Sequence, residues 1–235
     1  MDSFLEFLKG PFFRFSFAMM ILGLLRIFTL TLINGLEAKS KAKDKQLPMN
    51  YVKKLTLGYV FPIRAFRTKP LYSFVSIMFH IGLLITPIFL FDHALLFSNS
   101  ISFSWIGLTL SKAWADNLTL LTILAGMILL IMRATDRKSR FISRKQDYLW
   151  PLILLIPFIT GWIAANLTLK PGTYKIYMIL HILAGNIIFI LIPFTKIAHC
   201  VLLPLSQWIT ARTWKFVPEA GERVEKILGK EGRKL

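Results

Sequence analysis

The stretch IYMILHILAGNIIFILIPFT (residues 176–195) contains no Asp, Glu, Lys or Arg. A run of about 20 predominantly apolar residues is long enough for a helix to cross the hydrocarbon core of a bilayer. Three further runs lack the same four residue types, at 70–91, 117–132 and 148–169. The sequence therefore predicts a multi-span membrane protein that has lipid as a permanent contact.

The composition of the whole chain agrees with this interpretation. Of the 235 residues, 55% are hydrophobic and 17% are charged, whereas a soluble domain typically has about 25% charged residues. These values exclude a soluble nucleotide-binding enzyme, a secreted disulfide scaffold and a disordered chain. The single cysteine, Cys200, excludes an internal disulfide, an iron–sulfur cluster held by this chain and a zinc ribbon, and the lack of a CxxCH motif excludes covalently attached haem.

The predicted fold class is all-α, an integral membrane bundle of five transmembrane helices. The membrane domain is expected to cover residues 1–203, followed by a cytoplasmic tail at 204–235. The first ten residues, MDSFLEFLKG, contain two acidic residues and no small-residue cleavage site, so a cleaved signal peptide is not expected. The spans are predicted at 11–33, 70–97, 113–132, 148–169 and 174–203.

Basic residues are concentrated in alternate connections between these spans. Nine Lys and Arg lie in 34–69, six in 133–147 and seven after Pro204, whereas the other connections each hold one, Lys112 or Lys170. Because Lys and Arg mark the cytoplasmic side, this pattern predicts an outside N-terminus and a cytoplasmic C-terminus in a prokaryotic inner membrane. The same pattern accounts for the net charge of +17, so no nucleic-acid partner is expected. An interfacial helix is predicted at 51–66, and a short exposed helix or docking segment at 219–235.

The four histidines of the chain all lie within predicted spans. Ionisable residues are costly in a bilayer and usually face the interior of the helix bundle. Spans 2 and 5 run antiparallel in the predicted topology, so His93 and His181 fall near the outer side, and His80 and His199 near the inner side. Two facing imidazoles on neighbouring helices form a bis-histidine site for haem iron. The sequence therefore predicts two haem b groups at two depths.

The spacing of the histidines tests whether the two histidines of one span lie on the same face of that helix. Eighteen residues separate His181 from His199, and at 100° per residue both point to the same side. The thirteen residues from His80 to His93 leave the two about 140° apart on an ideal helix, so span 2 is expected to rewind between them, at Gly82 or Pro87. Gly82 and Gly185 either give a porphyrin room or serve helix packing.

Two stretches carry a family resemblance, KPLYSFVSIMFHIGLLITPIFLFDHALLF (69–97) and LHILAGNIIFILIPFTKIAH (180–199). With FH-x-G at His80 and IPFTK-x-x-H at His199, the chain resembles the dihaem cytochrome b family. That family includes the gamma subunit of respiratory nitrate reductase, the cytochrome b subunit of heterodisulfide reductase and the sulfite-reduction-associated membrane cytochrome. The resemblance extends over most of the chain from about Gly23, including 111–121 and 144–162.

The resemblance implies a respiratory electron-transfer subunit of a quinone-linked oxidoreductase complex. Such a subunit passes electrons between the membrane quinone pool, here expected to be menaquinone, and a cytoplasmic iron–sulfur subunit. The resemblance implies that His80 pairs with His199 and His93 with His181. The 13-residue spacing in span 2 is longer than in nitrate reductase gamma subunits, which favours the other two branches of the family.

Several polar residues are candidates for supporting roles. At the outer side, Asp116 or Asp92 could accept a quinol proton with Lys112 as a hydrogen-bond donor, although Asp116 could equally be the N-cap of span 3. Arg26 and Lys196 could contact a propionate of the inner haem or extend to the lipid headgroups. A proton-coupled transporter that uses the histidines as a relay is the alternative function, and a structural anchor is a third.

Overall fold

A computed structural model describes residues 1–41, 50, 53, 57, 63–213, 219–227, 229 and 231. All regular structure in these residues is helical, which confirms the predicted all-α class. Five helical segments are long and apolar enough to cross a membrane. The chain is therefore a multi-pass membrane protein by the length and composition of its helices.

The eleven α-helices of the described residues are numbered in chain order. Their bounds are α1 Asp2–Lys9, α2 Pro11–Lys41, α3 Ile63–Thr68, α4 Pro70–Phe89, α5 Phe91–Ile101, α6 Lys112–Thr135, α7 Arg137–Ile142, α8 Gln146–Asn166, α9 Pro171–Leu191, α10 His199–Thr213 and α11 Ala220–Ile227. Short 3₁₀ turns lie at Ile106–Leu108, Ile192–Phe194 and Lys196–Ala198. The predicted interfacial helix at 51–66 falls mostly outside the described residues, and the predicted tail helix corresponds to α11.

The first apolar segment is longer than the predicted span at 11–33. The candidate span covers Asp2–Ala38, and α2 continues to Lys41. The residues after Ile33 are more polar but include good helix formers such as Leu, Glu, Ala and Lys, so the helix outlasts the apolar run. A hydropathy pattern shows how far the apolar residues extend, but it does not show at which residue the helix ends.

The second span is not the continuous helix expected over 70–97. Helix α4 ends at Phe89, Leu90 adopts extended backbone angles (φ −69°, ψ 131°), and α5 begins at Phe91. Pro87 lies inside α4 without ending it. The interruption that separates the faces of His80 and His93 is therefore at Leu90, and the expectation of rewinding at Gly82 or Pro87 was wrong in its position.

The fifth span is interrupted as well. Helix α9 ends at Leu191, two 3₁₀ turns follow, and α10 begins at His199. Pro193 has no N–H with which to continue an α-helix, and Thr195 is extended, with its hydroxyl accepting a hydrogen bond from the Ile197 N–H. Since His181 and His199 are on different helices, the 18-residue periodicity does not relate their faces. Helix α10 runs on to Thr213, past the predicted start of the tail.

The chain divides into two compact units, residues 1–21 with 68–192 and residues 22–67 with 193–235. In the first unit α4 packs on α6, α6 on α8, and α8 on α9. Its core contains Val75, Phe79, Ala125 and Leu155. In the second unit α2 approaches the C-terminal segment closely, because a Cβ at Gly23 would lie 2.6 Å from the Pro193 ring.

A buried polar contact holds the N-terminal helices against α9 in the first unit. Asn186 is 2% exposed; its side-chain amide donates to the Leu8 carbonyl (3.0 Å) and its oxygen lies 2.7 Å from the Ser16 hydroxyl. Lys175 pairs with Asp2 nearer the start of both segments. The contacts advance along both segments together, so spans 1 and 5 run parallel, as the predicted topology requires.

Gly82 serves helix packing. A Cβ at this position would collide with the Thr122 side chain of α6, and the residue is buried. Of the two roles considered for Gly82, the structure supports the close approach of two helices.

Candidate functional site

The structure brings together the two histidines that were predicted to lie near the outer side. His93 is in the first turn of α5 and His181 is in the middle of α9. The centroids of their imidazole rings are 5.7 Å apart and the ring planes differ by 21°. Both side chains are partly buried. Two imidazoles from different spans therefore face each other within the first unit.

The position of His93 depends on the hydrogen bonds that the last carbonyls of α4 accept. The last carbonyls of a helix have no partner within it, and in a membrane each needs one. The last four carbonyls of α4 each have a hydrogen-bond donor. The Leu90 N–H donates to the Thr86 carbonyl (3.0 Å) and the Leu110 N–H to the Phe89 carbonyl (2.8 Å). Between them, His93 Nδ1 lies 3.0 Å from the Pro87 carbonyl, and Trp105 Nε1 donates to the Ile88 carbonyl (2.7 Å). The interruption at Leu90 is thus capped, and the cap orients the ring of His93.

Sequence reasoning did not identify Trp105 as part of this site. Trp105 lies in the connection before α6, seventeen residues from the carbonyl that it contacts. A tryptophan near the end of a span is more often an interface anchor. Pro87 gave no signal of this contact, because a proline leaves unpaired the carbonyl four residues before it, that of Leu83, and not the Ile88 carbonyl.

His181 is fixed by helix α8. Its Nδ1 lies 2.7 Å from the Pro157 carbonyl. Gly161, one helical turn after Pro157, lies against the ring: a Cβ there would be 2.7 Å from Cε1 and 2.8 Å from Nδ1. The lack of a side chain at Gly161 is therefore what lets the imidazole approach α8 closely enough to reach the carbonyl.

These two hydrogen bonds determine the protonation of both rings. A carbonyl oxygen can only accept, so Nδ1 of His93 and of His181 carries the proton, and Nε2 has the lone pair. Binding through one nitrogen while the other donates to a carbonyl is the usual arrangement of a metal-ligating histidine. Both histidines are thus prepared to ligate through Nε2.

The donor set fits a haem better than a metal held by protein alone. In the described residues no three His, Cys, Asp or Glu side chains converge as metal ligands, whereas a protein zinc site needs three or four. A porphyrin supplies four ligands and needs two. The ring centroids of His93 and His181 are 5.7 Å apart, so the two imidazoles are close enough for both to contact one bound group.

The space beside His181 is consistent with a flat ligand. Gly185 follows His181 by one turn of α9, and a Cβ built on it would meet no atom within 4 Å. Helix packing therefore does not explain this glycine, in contrast to Gly82. The His93–His181 pair therefore fits a haem in the type and number of its donors, and the position beside Gly185 is not filled by protein.

The two histidines that were predicted to lie near the inner side, His80 and His199, belong to different units. His80 Nδ1 lies 2.6 Å from the Ser76 carbonyl in the first unit, and His199 Nδ1 lies 2.8 Å from the Lys196 carbonyl in the second. Each therefore has the same Nδ1-protonated form as the outer pair. The pairing of His80 with His199 stays a prediction. So do the propionate contacts of Arg26 and Lys196, both of which are exposed residues of the second unit.

The candidate quinone-site residues lie at the start of α6, where it contacts the end of α8, and in the first turn of α5. Asp116 accepts a hydrogen bond from the Asn166 amide (3.0 Å), and Lys112 Nζ lies 3.5 Å from the Ala165 carbonyl. Both contacts join the start of α6 to the end of α8. Asp116 is not the N-cap of span 3, because Ser111 occupies that position. Asp92 is exposed in the first turn of α5.

Comparison with known proteins gives one distant similarity. The chain is 29% identical over 147 residues to a protein of Nitratidesulfovibrio vulgaris (strain Hildenborough) that is described simply as "Protein". The aligned region is 63% of this chain and 63% of that relative. No protein-family model matches the chain, and no solved structure matches it. The functional conclusion therefore rests on the site.

Proposed function

We propose that this chain is a dihaem cytochrome b, the membrane electron-transfer subunit of a quinone-linked oxidoreductase. The facing imidazoles of His93 and His181, each with Nδ1 bonded to a backbone carbonyl, carry this proposal. An imidazole pair between two spans, each ring with Nδ1 on a carbonyl and a lone pair on Nε2, is the arrangement that a bis-histidine haem site uses. The dihaem cytochrome b resemblance of the sequence points to the same function.

At the outer site, Nε2 of His93 and Nε2 of His181 would hold the haem iron. The bound haem would supply one-electron oxidation and reduction. The protein orients the ligands through the carbonyls of Pro87 and Pro157, and these hydrogen bonds also make the imidazoles stronger donors.

The inner haem is proposed from the sequence, with His80 and His199 as its ligands. Arg26 and Lys196 would then neutralise its propionates. Two haems at two depths would connect a quinone at the outer side to a partner at the inner side.

Oxidation of a quinol releases protons, which requires an acceptor near the outer haem. Asp116 is the first candidate, because the Asn166 amide fixes its carboxylate near the start of α6, which the proposed topology puts on the outer side. Lys112 lies one turn earlier on the same helix and would donate to a quinone oxygen. Asp92, next to His93 in sequence, is the second candidate for the acceptor. Menaquinone is the proposed quinone.

The proposed topology has the N-terminus outside and the C-terminus in the cytoplasm of a prokaryotic cell. The basic connections would then face the cytoplasm. A chain with one cysteine holds no iron–sulfur cluster of its own, so the proposal includes a cytoplasmic iron–sulfur subunit and a larger complex. Basic residues on the inner side would attract an acidic surface of that subunit.

Haem content tests this function directly. The full chain, purified from a host with an ample haem supply, is expected to contain two haem b per chain in a pyridine haemochrome assay. His181→Ala is expected to retain one, and His80→Ala one as well, with different spectra for the haem that remains. A wild-type chain that binds no haem contradicts the proposal, and so does a His181→Ala variant that keeps both.

The two interrupted spans favour one other function, a proton-coupled transporter. Transporters often bind their substrates where membrane helices are broken, and the chain has such breaks at Leu90 and at 192–198. The histidines beside these breaks would then relay protons. This function predicts pH-driven solute uptake by a colourless protein in vesicles, whereas the cytochrome is red and is reduced by a quinol analogue.

A further inference from the structure

The connection between the third and fourth spans presents an unusual pair of apolar side chains. Helix α7, Arg137–Ile142, occupies most of this connection, and its last two residues are Phe141 and Ile142. Phe141 is 90% exposed and Ile142 78% exposed. Leaving two large adjacent apolar side chains in water is unfavourable, so this pair needs an apolar environment outside the bundle.

This segment is held firmly against the end of the bundle. Asp136 caps α7 by accepting the Ser139 N–H (3.1 Å), and its carboxylate is paired with Lys69. Arg133 donates to the Ser143 hydroxyl (3.2 Å), and Arg140 to the Ala134 carbonyl (3.2 Å). The exposure of Phe141 is therefore a feature of a folded helix and not of a loose loop.

The segment lies at the boundary of the membrane. Helix α6 ends at Thr135, two residues before α7, and α8 begins at Gln146, four residues after it. Both are candidate membrane spans. A ten-residue connection between two spans cannot move far from the lipid headgroups, whichever side of the membrane it faces.

The residues around the apolar pair are strongly basic. The carboxylate of Asp136 is paired with Lys69, and that of Asp147 accepts the Arg144 N–H. The exposed cations of the segment are Arg137, Lys138, Arg140, Arg144 and Lys145. Basic side chains next to a membrane attract anionic phospholipids, and a basic helix with an apolar side lies in the interface with that side in the acyl chains.

We infer that α7 is a lipid anchor: Phe141 and Ile142 insert into the acyl boundary of one leaflet, and the five cations bind anionic phospholipid headgroups. Lipid is favoured over an acidic protein because two adjacent spans place the segment against lipid in any case. The inference is independent of haem binding, since none of these residues belongs to the histidine site.

Spin labelling measures the depth of this position. The chain has one cysteine, so Phe141→Cys in a Cys200→Ser background carries a single nitroxide. In nanodiscs that contain phosphatidylglycerol, the label at 141 is expected to be more accessible to oxygen than to a water-soluble nickel chelate. Leu124→Cys, an exposed position in the middle of α6, is the control for full burial in lipid, and Lys138→Cys is the control for the headgroup level.

Two further comparisons complete the test. Replacing Lys138, Arg140 and Arg144 together with glutamine is expected to reduce several-fold the anionic lipid that co-purifies with the protein, with haem content unchanged. A label at 141 that is as accessible to the nickel chelate as the free label in buffer would overturn the inference. Protection that develops only after an acidic soluble protein is added would also overturn it.

Discussion

Replacing Gly161 with alanine adds a methyl group at the point where α8 touches the His181 ring. The new Cβ would lie 2.7 Å from Cε1 and 2.8 Å from Nδ1, whereas non-bonded carbon atoms prefer about 3.5 Å or more. The ring must therefore move by about 0.7 Å, or the helices must separate by a similar distance. Metal–ligand bonds tolerate displacements of only about 0.2 Å, so the shift is large enough to disturb ligation through Nε2.

The fold is expected to survive this substitution. Alanine in a helix interior is about 1 kcal/mol more favourable than glycine, and overpacking a well-packed contact costs about 1–3 kcal/mol. These opposing effects leave a net destabilisation of at most about 2 kcal/mol, which a multi-span bundle should tolerate. The change in the site should therefore be much larger than the change in stability.

Haem content and spectroscopy measure the outcome of Gly161→Ala. The expected result is loss or weakening of one of two haems, seen as a stoichiometry nearer one per chain or as a ferric low-spin EPR signal replaced by a high-spin one. Gly172→Ala is the matched control, because it lies in the first turn of α9 and a Cβ there would meet no atom within 4 Å. A Gly161→Ala protein with two haems and unchanged spectra would refute the placement of His181 against α8.

Three further predictions concern other residues of the first unit. Trp105→Phe removes the donor to the Ile88 carbonyl. Because a membrane offers this carbonyl no water as a replacement partner, its loss should cost about 1–3 kcal/mol, so the thermal midpoint should fall and the outer haem should shift in potential. An unchanged midpoint and potential would count against the cap. Hydrogen bonds from Lys69 and Ser139 lower the pKa of Asp136. The stabilisation from the Asp136 carboxylate should therefore be complete above its ordinary pKa near 3.8 and be lost as the pH falls through the lowered pKa. Melting curves against pH should show this loss, and Asp136→Asn should make the melting temperature insensitive to pH in this range. Gly185→Ala adds a methyl group that meets no protein atom. It should therefore leave the stability of the haem-free protein unchanged but reduce haem retention. Haem retention equal to that of the wild type would show that no ligand occupies the space beside Gly185.

The sequence was sufficient to predict five helices that could span a membrane and the proximity of His93 to His181. Both follow from one-dimensional signals: apolar length gives the spans, and Lys and Arg counts give the directions in which they run. Opposite directions for spans 2 and 5 place His93 and His181 at the same depth. No distance information was needed to propose that they meet.

The interruptions at Leu90 and at 192–198 could not be located in the same way. A helix in a membrane can end only where other groups satisfy its carbonyls. At Leu90 these groups are the Trp105 indole and the Leu110 N–H, which reach α4 through the fold and not through nearby sequence. Pro87 and Pro193 indicated that breaks were possible but did not give their positions.

The role of Gly161 was also invisible in the sequence. Its importance comes from the packing of α8 against α9, which places the glycine beside a histidine twenty residues further along the chain. Gly82, which precedes a similar apolar run, instead contacts Thr122. Glycines in spans have similar sequence surroundings, and only the neighbouring helix distinguishes a ligand-positioning glycine from a packing one.

A density map of the purified protein in lipid tests the central claim most directly. The account predicts flat, porphyrin-sized density between Nε2 of His93 and Nε2 of His181, with both Nδ1 atoms on the carbonyls of Pro87 and Pro157. Imidazole rings that contact only protein or water at this position, in a chain grown with haem, would contradict it.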